Sequence, residues 1–492
     1  MKSAAVIGGG FGGIAAALRL RAKGYDVTVY DRSSQLGGRA QVFEKDGFKY
    51  DAGPTVITAP HVISELFGLF GKDMSDYVNI VPLETWYRFT YPDGGYFDYG
   101  GSSEQIKNEI RRISPGDVSG YEALYRESES IYRVGYEKLA TQPFHSLLDM
   151  IKIVPQMLRL RVYRSVWGLV SAHIKHDKLR QAFSVQPLLV GGNPFDTTCI
   201  YSLIHFLERE FGVYFAMGGT GALVTGLAKL MEEEGITVRL NQTITRLPVA
   251  SKNISSVVTE RGEEKPFDLV VSNVDPVHLY DKLVDAKFVR RSAKIKAKHA
   301  SKSMGLFVLF FGTNTTFPDV EHHTIWLGKR YKELLSDIFD RKVLADDFSL
   351  YLHRPTATDP SFAPDGCDSF YALVPVPNMQ GNIDWGNEGP RLEQRVLDAL
   401  DNSILPGVKD NLAHSFFMTP VDFESRYLSP EGAGFSIAPK FTQSAWFRFH
   451  NKAEGPENLY LVGAGSHPGA GLPGVIASAK VLDQLIPQAA AG

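Results

Sequence analysis

The sequence predicts an α/β protein organised around a parallel sheet, and two observations lead to this fold class. A strand, a glycine turn and a helix open the chain over residues 4–20, and a strand, a glycine loop and a helix close it over 458–485. No acidic residue at the end of a further strand follows the closing glycine loop, so we expect the closing unit to complete the first one. We therefore expect a split Rossmann-like domain, with mixed sheet-and-helix and helical regions between its parts.

Composition excludes several classes of protein. Hydrophobic residues make up 44% of the 492 residues, and the formal net charge is -3, so no nucleic acid partner is expected. Cys199 and Cys367 have no spacing for a disulfide or zinc site, so we expect no metal site and a reducing compartment. The N-terminus does not resemble a signal peptide, and no apolar run is long enough to span a membrane. We expect a cytoplasmic protein with at most peripheral membrane contact.

The opening unit has the pattern of a dinucleotide cradle. An apolar strand at 4–7 leads into a glycine-rich turn and a helix, and a second strand at 26–30 ends at Asp31. Glycines in such a turn let a pyrophosphate approach the backbone, and the acidic residue accepts hydrogen bonds from a ribose. The candidate pyrophosphate residues are Gly8, Gly10, Phe11, Gly12 and Gly13. These residues alone do not separate NAD from FAD.

The next segment separates the two cofactors by resemblance. Gly37, Gly38 and Arg39 follow the ribose carboxylate, and Gly53 and Pro54 come soon after. With the opening turn and Asp31, they resemble the FAD-dependent superfamily of amine oxidases, protoporphyrinogen oxidases and carotenoid desaturases. The resemblance implies that the cofactor is FAD and that Arg39 lies beside it.

The C-terminal glycine loop narrows the resemblance. Its candidate cofactor residues are Gly463, Gly465, Gly471, Pro473 and Gly474. This loop is similar to the loop of bacterial-type phytoene desaturases, in which the corresponding segment returns to the FAD domain and passes the flavin. His467 in the loop is read either as a hydrogen-bonded structural residue or as a chemical one.

The middle of the chain is expected to contribute to three regions. A glycine loop at 217–224, leading into a helix over 226–234, and a strand at 267–275 belong with the cofactor domain. We expect that domain at 1–95, 217–285 and 415–492, a helical membrane and substrate-entry region at 96–216, and a substrate-binding region at 286–414.

Residues 150–174 interleave apolar and aromatic side chains with four basic ones and contain no acidic residue. Such a segment either lies in the interface of a membrane or packs as a core helix with a solvated basic face, and Pro155 interrupts an ideal helix. Both readings stay open. Asp149 and Lys152 at its edge are candidates for a catalytic base and its charge partner, the alternative being a surface ion pair.

The resemblance implies an enzyme that desaturates phytoene toward neurosporene or lycopene in carotenoid biosynthesis. A hydride would pass from an allylic carbon to the flavin and a proton would leave the neighbouring carbon. The implied partners are the polyene, a membrane lipid surface and oxygen or a quinone as electron acceptor, and association into a homo-oligomer is left open. The alternatives are another carotenoid desaturase or an isomerase, an amine oxidase of the same fold, and a FAD- or lipid-binding scaffold without turnover.

Overall fold

The computed structural model describes residues 1–144 and 147–489, and for residues 147–150 it describes the backbone alone. The strands of these ranges are β1 Ser3–Ile7, β2 Asp26–Tyr30, β3 Val42–Lys45, β4 Phe48–Asp51, β5 Ile57–Thr58, β6 Ile80–Pro82, β7 Thr85–Thr90, β8 Tyr96–Gly100, β9 Val213–Ala216, β10 Thr237–Arg239, β11 Ile244–Arg246, β12 Val249–Ala250, β13 Asn253–Ile254, β14 Ser256–Thr259, β15 Glu264–Pro266, β16 Leu269–Ser272, β17 Gly305–Thr313, β18 His323–Trp326, β19 Leu350–His353, β20 Asp368–Val376, β21 Leu412–Met418 and β22 Leu459–Leu461.

The α-helices of the same ranges are α1 Phe11–Ala22, α2 His61–Gly68, α3 Ser103–Ile113, α4 Val118–Gly135, α5 Leu147–Arg159, α6 Val166–His173, α7 Asp177–Phe183, α8 Leu203–Phe211, α9 Gly219–Glu233, α10 Pro276–His278, α11 Arg291–His299, α12 Tyr331–Ser336, α13 Trp385–Asp401, α14 Pro420–Tyr427, α15 Leu472–Lys480 and α16 Leu482–Leu485. None of them combines the length and the apolarity needed to cross a bilayer.

A five-stranded parallel sheet unites the two ends of the chain. Its order is β10-β2-β1-β16-β22, so both terminal segments and two middle strands contribute. Its central strands are almost wholly apolar, because separate hydrophobic clusters cover both faces of the sheet. The predicted α/β class and the split parallel sheet are confirmed.

A seven-stranded sheet, ordered β21-β17-β20-β19-β18-β7-β8, forms the second layer system. Its strand β17 is buried along its whole length and pairs antiparallel with β20 and β21. Strand β7 pairs with β18 and so belongs to this sheet, not to the five-stranded parallel sheet. The domain bounds stay a prediction, and this pairing favours ending the first cofactor segment before Thr85.

The middle glycine loop departs from the expected helix bounds. Helix α9 begins at Gly219, not at residue 226, after Gly218 and Gly219 with φ of 82° and 74°. The backbone N–H and hydroxyl of Thr220 both donate to the buried carboxylate of Asp51, which caps the helix. This long-range cap is not readable from the local sequence.

Residues 150–174 form two different elements. In α5, which runs through Pro155, Ile151 and Leu158 are 56% and 61% exposed. Helix α6 instead lies in the core, with Val166 and Leu169 buried. Helix α6 therefore packs internally, whereas α5 is largely exposed, and its contact with a membrane stays a prediction.

Candidate active site

The first glycine turn lies at the carboxyl end of β1. Gly8 has a φ of 95°, and a Cβ on Gly13 would collide with the Gly8 carbonyl oxygen, so α1 can pack this closely only with glycine there. Asp31 at the end of β2 accepts hydrogen bonds from the backbone N–H of Gly9 at 2.6 Å and of Ser33 at 2.8 Å. The carboxylate is thus held at the turn by two backbone donors.

Arg39 enters the same site from a short helical turn after Gly37 and Gly38, whose φ angles are 109° and 57°. Its Nη2 donates to the Ser429 hydroxyl at 3.1 Å, whereas its buried Nε lacks a protein partner among the described residues. Burial lowers the pKa of Arg39. A buried guanidinium N–H without a partner is suited to a polar ligand atom.

The C-terminal loop is held against the cradle by a buried arginine. Arg448 donates from Nε to the carbonyl of Ser466 at 3.0 Å and from Nη2 to that of Ala464 at 2.5 Å. A Cβ on Gly465 would collide with Pro276, and a Cβ on Gly463 with the Asn273 side chain. These glycines let the loop lie directly on the end of the parallel sheet.

One cavity of about 540 Å³ joins these parts. Of the predicted cofactor residues it is lined by Gly8, Gly10, Phe11, Gly12, Asp31, Gly37, Gly38, Arg39, Gly53, Pro54, Gly465, Gly471, Pro473 and Gly474. Gly13 and Gly463, the remaining two, have the close packing contacts described above. The structure therefore brings residues from both ends of the chain to one site.

Away from the cradle, the same cavity has a mainly apolar wall. Its aliphatic and apolar lining includes Val185, Leu188, Ile325, Leu327, Leu334, Leu335, Ile338 and Leu373. Two residues of α5, Ile153 and Met157, line it from one side, while other residues of that helix face outward. The arrangement can hold a long apolar molecule with one part beside the cradle.

A buried polar network interrupts this wall next to Pro54. The Thr55 hydroxyl is 2.9 Å from that of Tyr351 and 2.7 Å from that of Tyr371, and Tyr351 is 2.6 Å from Nδ1 of His323. Asp51 lies close to this network, and its Oδ2 is 3.7 Å from Nε2 of His353. Burial raises the pKa of Asp51 to about 7.

No metal site was expected from the sequence. In the part of the chain that the structure describes, His322, His323 and His353 nevertheless each place a ring nitrogen within 4.8 Å of the others. Burial lowers the pKa of all three imidazoles, which keeps them neutral.

The predicted catalytic pair and His467 have different outcomes. The side chain of Asp149 lies outside the described residues, and Lys152 is exposed on α5, outside the described cavity lining. His467 lines the cavity, its Nε2 is 3.0 Å from the carbonyl oxygen of Leu139, and burial lowers its pKa to about 4. The hydrogen bond agrees with the structural reading of His467, and the roles of Asp149 and Lys152 stay predictions.

Sequence reasoning missed several residues of the site. Arg448, Tyr351 and Glu208 lie far from the glycine motifs along the chain and carry no short motif of their own. Glu208 stands in an ordinary amphipathic helix, in which a glutamate usually faces solvent. The one sequence signal that could have identified Glu208 is its position on the apolar face of this helix, where a charged residue is unusual.

The glycine cradle, the adjoining arginine and the C-terminal loop define a flavin-dependent oxidoreductase. The chain belongs to the flavin containing amine oxidoreductase family, whose model matches residues 11–481. The glycine-lined cradle and the unpartnered Nε of Arg39 are suited to bind a dinucleotide, which agrees with FAD as the cofactor.

Relatives with printed functions are similar along nearly the whole chain. A lycopene-forming phytoene desaturase of Pseudescherichia vulneris is 46% identical over 488 residues, covering 99% of each chain. A neurosporene-forming phytoene desaturase of Rhodobacter capsulatus is 43% identical, covering 99% of this chain and 94% of the relative. A solved oxidoreductase from Methanosarcina mazei shares the fold, with a TM-score of 0.66, 16% identity and coverage of 98% and 100%.

Proposed function

We propose that this enzyme desaturates phytoene toward neurosporene or lycopene in carotenoid biosynthesis, with FAD as the electron acceptor. The observation that carries the proposal is the single cavity in which the glycine cradle continues into an apolar wall. The similarity to two phytoene desaturases over nearly full length supports the same substrate. An amine oxidase is less well supported, because the likeness to a solved putrescine oxidase and a solved cyclohexylamine oxidase, at 13% and 14% identity, shows the fold alone.

In this proposal, different segments of the cradle bind different parts of FAD. The turn from Gly8 to Gly13 takes the pyrophosphate at the start of α1, and Asp31 takes the adenosine ribose. Arg39 and the C-terminal glycine loop, which line the same cavity, would hold the flavin. FAD supplies a hydride acceptor when bound. The apolar wall aligns an allylic carbon of the polyene with it and excludes water.

We also propose that α5 is the membrane-contacting part of the enzyme. Ile151, Val154 and Leu158 are 56%, 40% and 61% exposed, and Phe441 and Phe447, which line the cavity, are 40% and 38% exposed. Lys152 and Arg159 are exposed beside them and would meet anionic headgroups. Because α5 lines the cavity with its other side, a bound bilayer would lie next to the path of a lipid-dissolved substrate.

The test of the function is an assay of purified, FAD-loaded protein with phytoene in liposomes. Under air, and in its absence with a quinone, absorption bands shifted to longer wavelength would show desaturation and identify the terminal acceptor. Unchanged phytoene under both conditions would reject the proposal and favour an isomerase, another carotenoid substrate or an amine oxidase. Asp149→Asn in this assay tests the predicted base, since normal turnover with normal FAD content would remove Asp149 from the mechanism.

A further inference from the structure

Three carboxylates occur in the described lining of the cavity, and they differ in setting. Asp31 and Asp275 lie at the cradle, where the backbone N–H groups of Gly9 and Ser33 donate to the two oxygens of Asp31 and that of Val277 donates to one oxygen of Asp275. Glu208 lies instead in the wall formed with Val185, Ile325 and Leu327, and its side chain is 0% exposed. It is the one carboxylate of the described lining that lies away from the cradle.

Two tyrosine hydroxyls hold the Glu208 carboxylate in place. Tyr87 donates to Oε1 at 2.9 Å and Tyr99 to Oε2 at 3.3 Å. Nδ1 of His205 is 2.9 Å from the Tyr99 hydroxyl and can donate to it, which leaves the Tyr99 proton directed at Glu208. The carboxylate keeps lone pairs beyond those that the tyrosines use, so it can accept a further proton.

We propose that Glu208 is the proton acceptor of the desaturation, an inference that rests on the proposed function. One C–H bond of the polyene loses its hydrogen with both electrons to FAD, which is reduced. The neighbouring C–H bond loses a proton to a carboxylate oxygen of Glu208, and the electrons of that bond form the new C=C bond. The substrate is thereby oxidised by two electrons, and Glu208 releases the proton to water before the next turnover.

Electrostatics favours this role. An ionised Glu208 in an apolar wall stabilises a cation that develops on the polyene, and accepting the proton ends the cost of keeping a charge buried. Burial raises the pKa of Glu208 to about 7, while the hydrogen bonds from Tyr87, Tyr99 and the Gln186 side chain and the charge of Arg209 act in the opposite direction. A base with a pKa near the working pH transfers protons efficiently in both directions.

The surrounding groups do not compete for the proton. The titratable side chains around Glu208 are Tyr87 on β7, Tyr99 on β8, His205 and Arg209 on α8, and Tyr121 and Tyr125 of α4, which contact His205. Burial lowers the pKa of His205 to about 3 and raises that of Tyr121 to about 12, so both stay neutral near pH 7. Arg209 packs on the Trp86 ring at 4.7 Å and donates to the Gly100 carbonyl.

The experiment measures flavin reduction by phytoene in liposomes, without oxygen, in a single turnover. Glu208→Gln keeps the size and polarity of the side chain but cannot take the proton, so we expect reduction about a hundredfold slower with unchanged FAD content. The wild-type rate should rise as the pH rises through about 7, because only the ionised form acts, and the variant should lack this rise. Glu210→Gln, on the exposed residue two positions along α8, should behave as wild type.

A second readout does not depend on turnover. In an infrared pH titration, Asp51 and Glu208 should each give a protonated-carboxyl band with a midpoint near 7. One of the two bands should disappear in Glu208→Gln and persist in Asp51→Asn. A wild-type rate in Glu208→Gln, or a retained rise with pH, would overturn the inference. If Glu208→Gln fails to fold, two other results would overturn the inference. One is a wild-type rate of flavin reduction that does not change across this pH range, and the other is a Glu208→Asp variant whose rate does not rise with pH. If wild type and Glu210→Gln both leave the flavin oxidised, the proposed function itself fails and the inference with it.

Discussion

At the cradle end of the cavity the groups that approach a ligand are mainly backbone atoms, whereas at the substrate end they are side chains. The glycine turn, the Gly37-Gly38 turn and the C-terminal loop bring main chain to the cavity surface. The far wall presents leucines, isoleucines, tyrosines and Glu208 from several elements. The contrast indicates that the cradle tolerates almost no added atom, while the wall tolerates changes of shape and responds to changes of charge.

Adding one methyl group at the cradle should have the largest effect. In Gly13→Ala the new Cβ collides with the backbone oxygen of Gly8, which cannot rotate away, and we expect a loss of roughly 3 kcal/mol of stability together with the bound FAD. Thermal unfolding and the flavin absorbance of the purified protein measure both. Gly68→Ala in α2 is the control, since a Cβ there meets nothing within 4 Å. A Gly13→Ala protein with normal FAD content would show that the cradle is more plastic than the contacts indicate.

Ionisation of the buried Asp51 carboxylate should have the next largest effect on stability. Burial raises the folded pKa of Asp51 to about 7, so the stability it contributes is present at low pH and is lost as the pH rises toward and through about 7. Between about pH 5 and about pH 8, wild type should lose more stability than Asp51→Asn, by an amount on the order of 1 kcal/mol or more. Urea unfolding at the two pH values tests this, with Asp365→Asn at an exposed position as the control.

Parallel pH profiles of wild type and Asp51→Asn would mean that Asp51 ionises without cost in the folded protein. The two Thr220 hydrogen bonds to Oδ1 would then outweigh burial. The asparagine oxygen can accept the same two bonds, so the substitution isolates the charge from the cap of α9.

A substitution on the exposed side of α5 should have the smallest effect, and it should act on membrane binding. Leu158→Glu places a negative charge on α5, where Leu158 is 61% exposed, and should weaken binding to anionic liposomes about fivefold, equivalent to about 1 kcal/mol. Stability and FAD content should not change. Ile295→Glu on α11, at a residue that is 51% exposed, is the matched control, and vesicle co-sedimentation is the measurement. Equal loss of binding in both variants would argue against α5 as the contact surface.

Local sequence patterns sufficed for the cofactor end. A glycine turn needs particular residues at fixed spacings, because positive φ angles and close backbone approach exclude side chains, so Gly8, Gly13 and Asp31 could be placed from the sequence. The parallel sheet from both ends of the chain followed from the same patterns. The helix start at Gly219 was predicted wrongly, since the Asp51 carboxylate that caps it comes from a distant strand.

The sequence by itself determined the α/β fold and the dinucleotide cradle, because each depends on residues close together in the chain. The split parallel sheet followed because two such local patterns stand at the two ends of the chain. Only the tertiary structure decided that α5 is exposed while α6 is buried, that Arg448 holds the C-terminal loop, and that Glu208 lies in the wall of an apolar cavity. The reason is physical: the environment of a charged side chain is set by the elements packed around it. Its pKa and its chemistry depend on those neighbours, and no spacing along the chain encodes them.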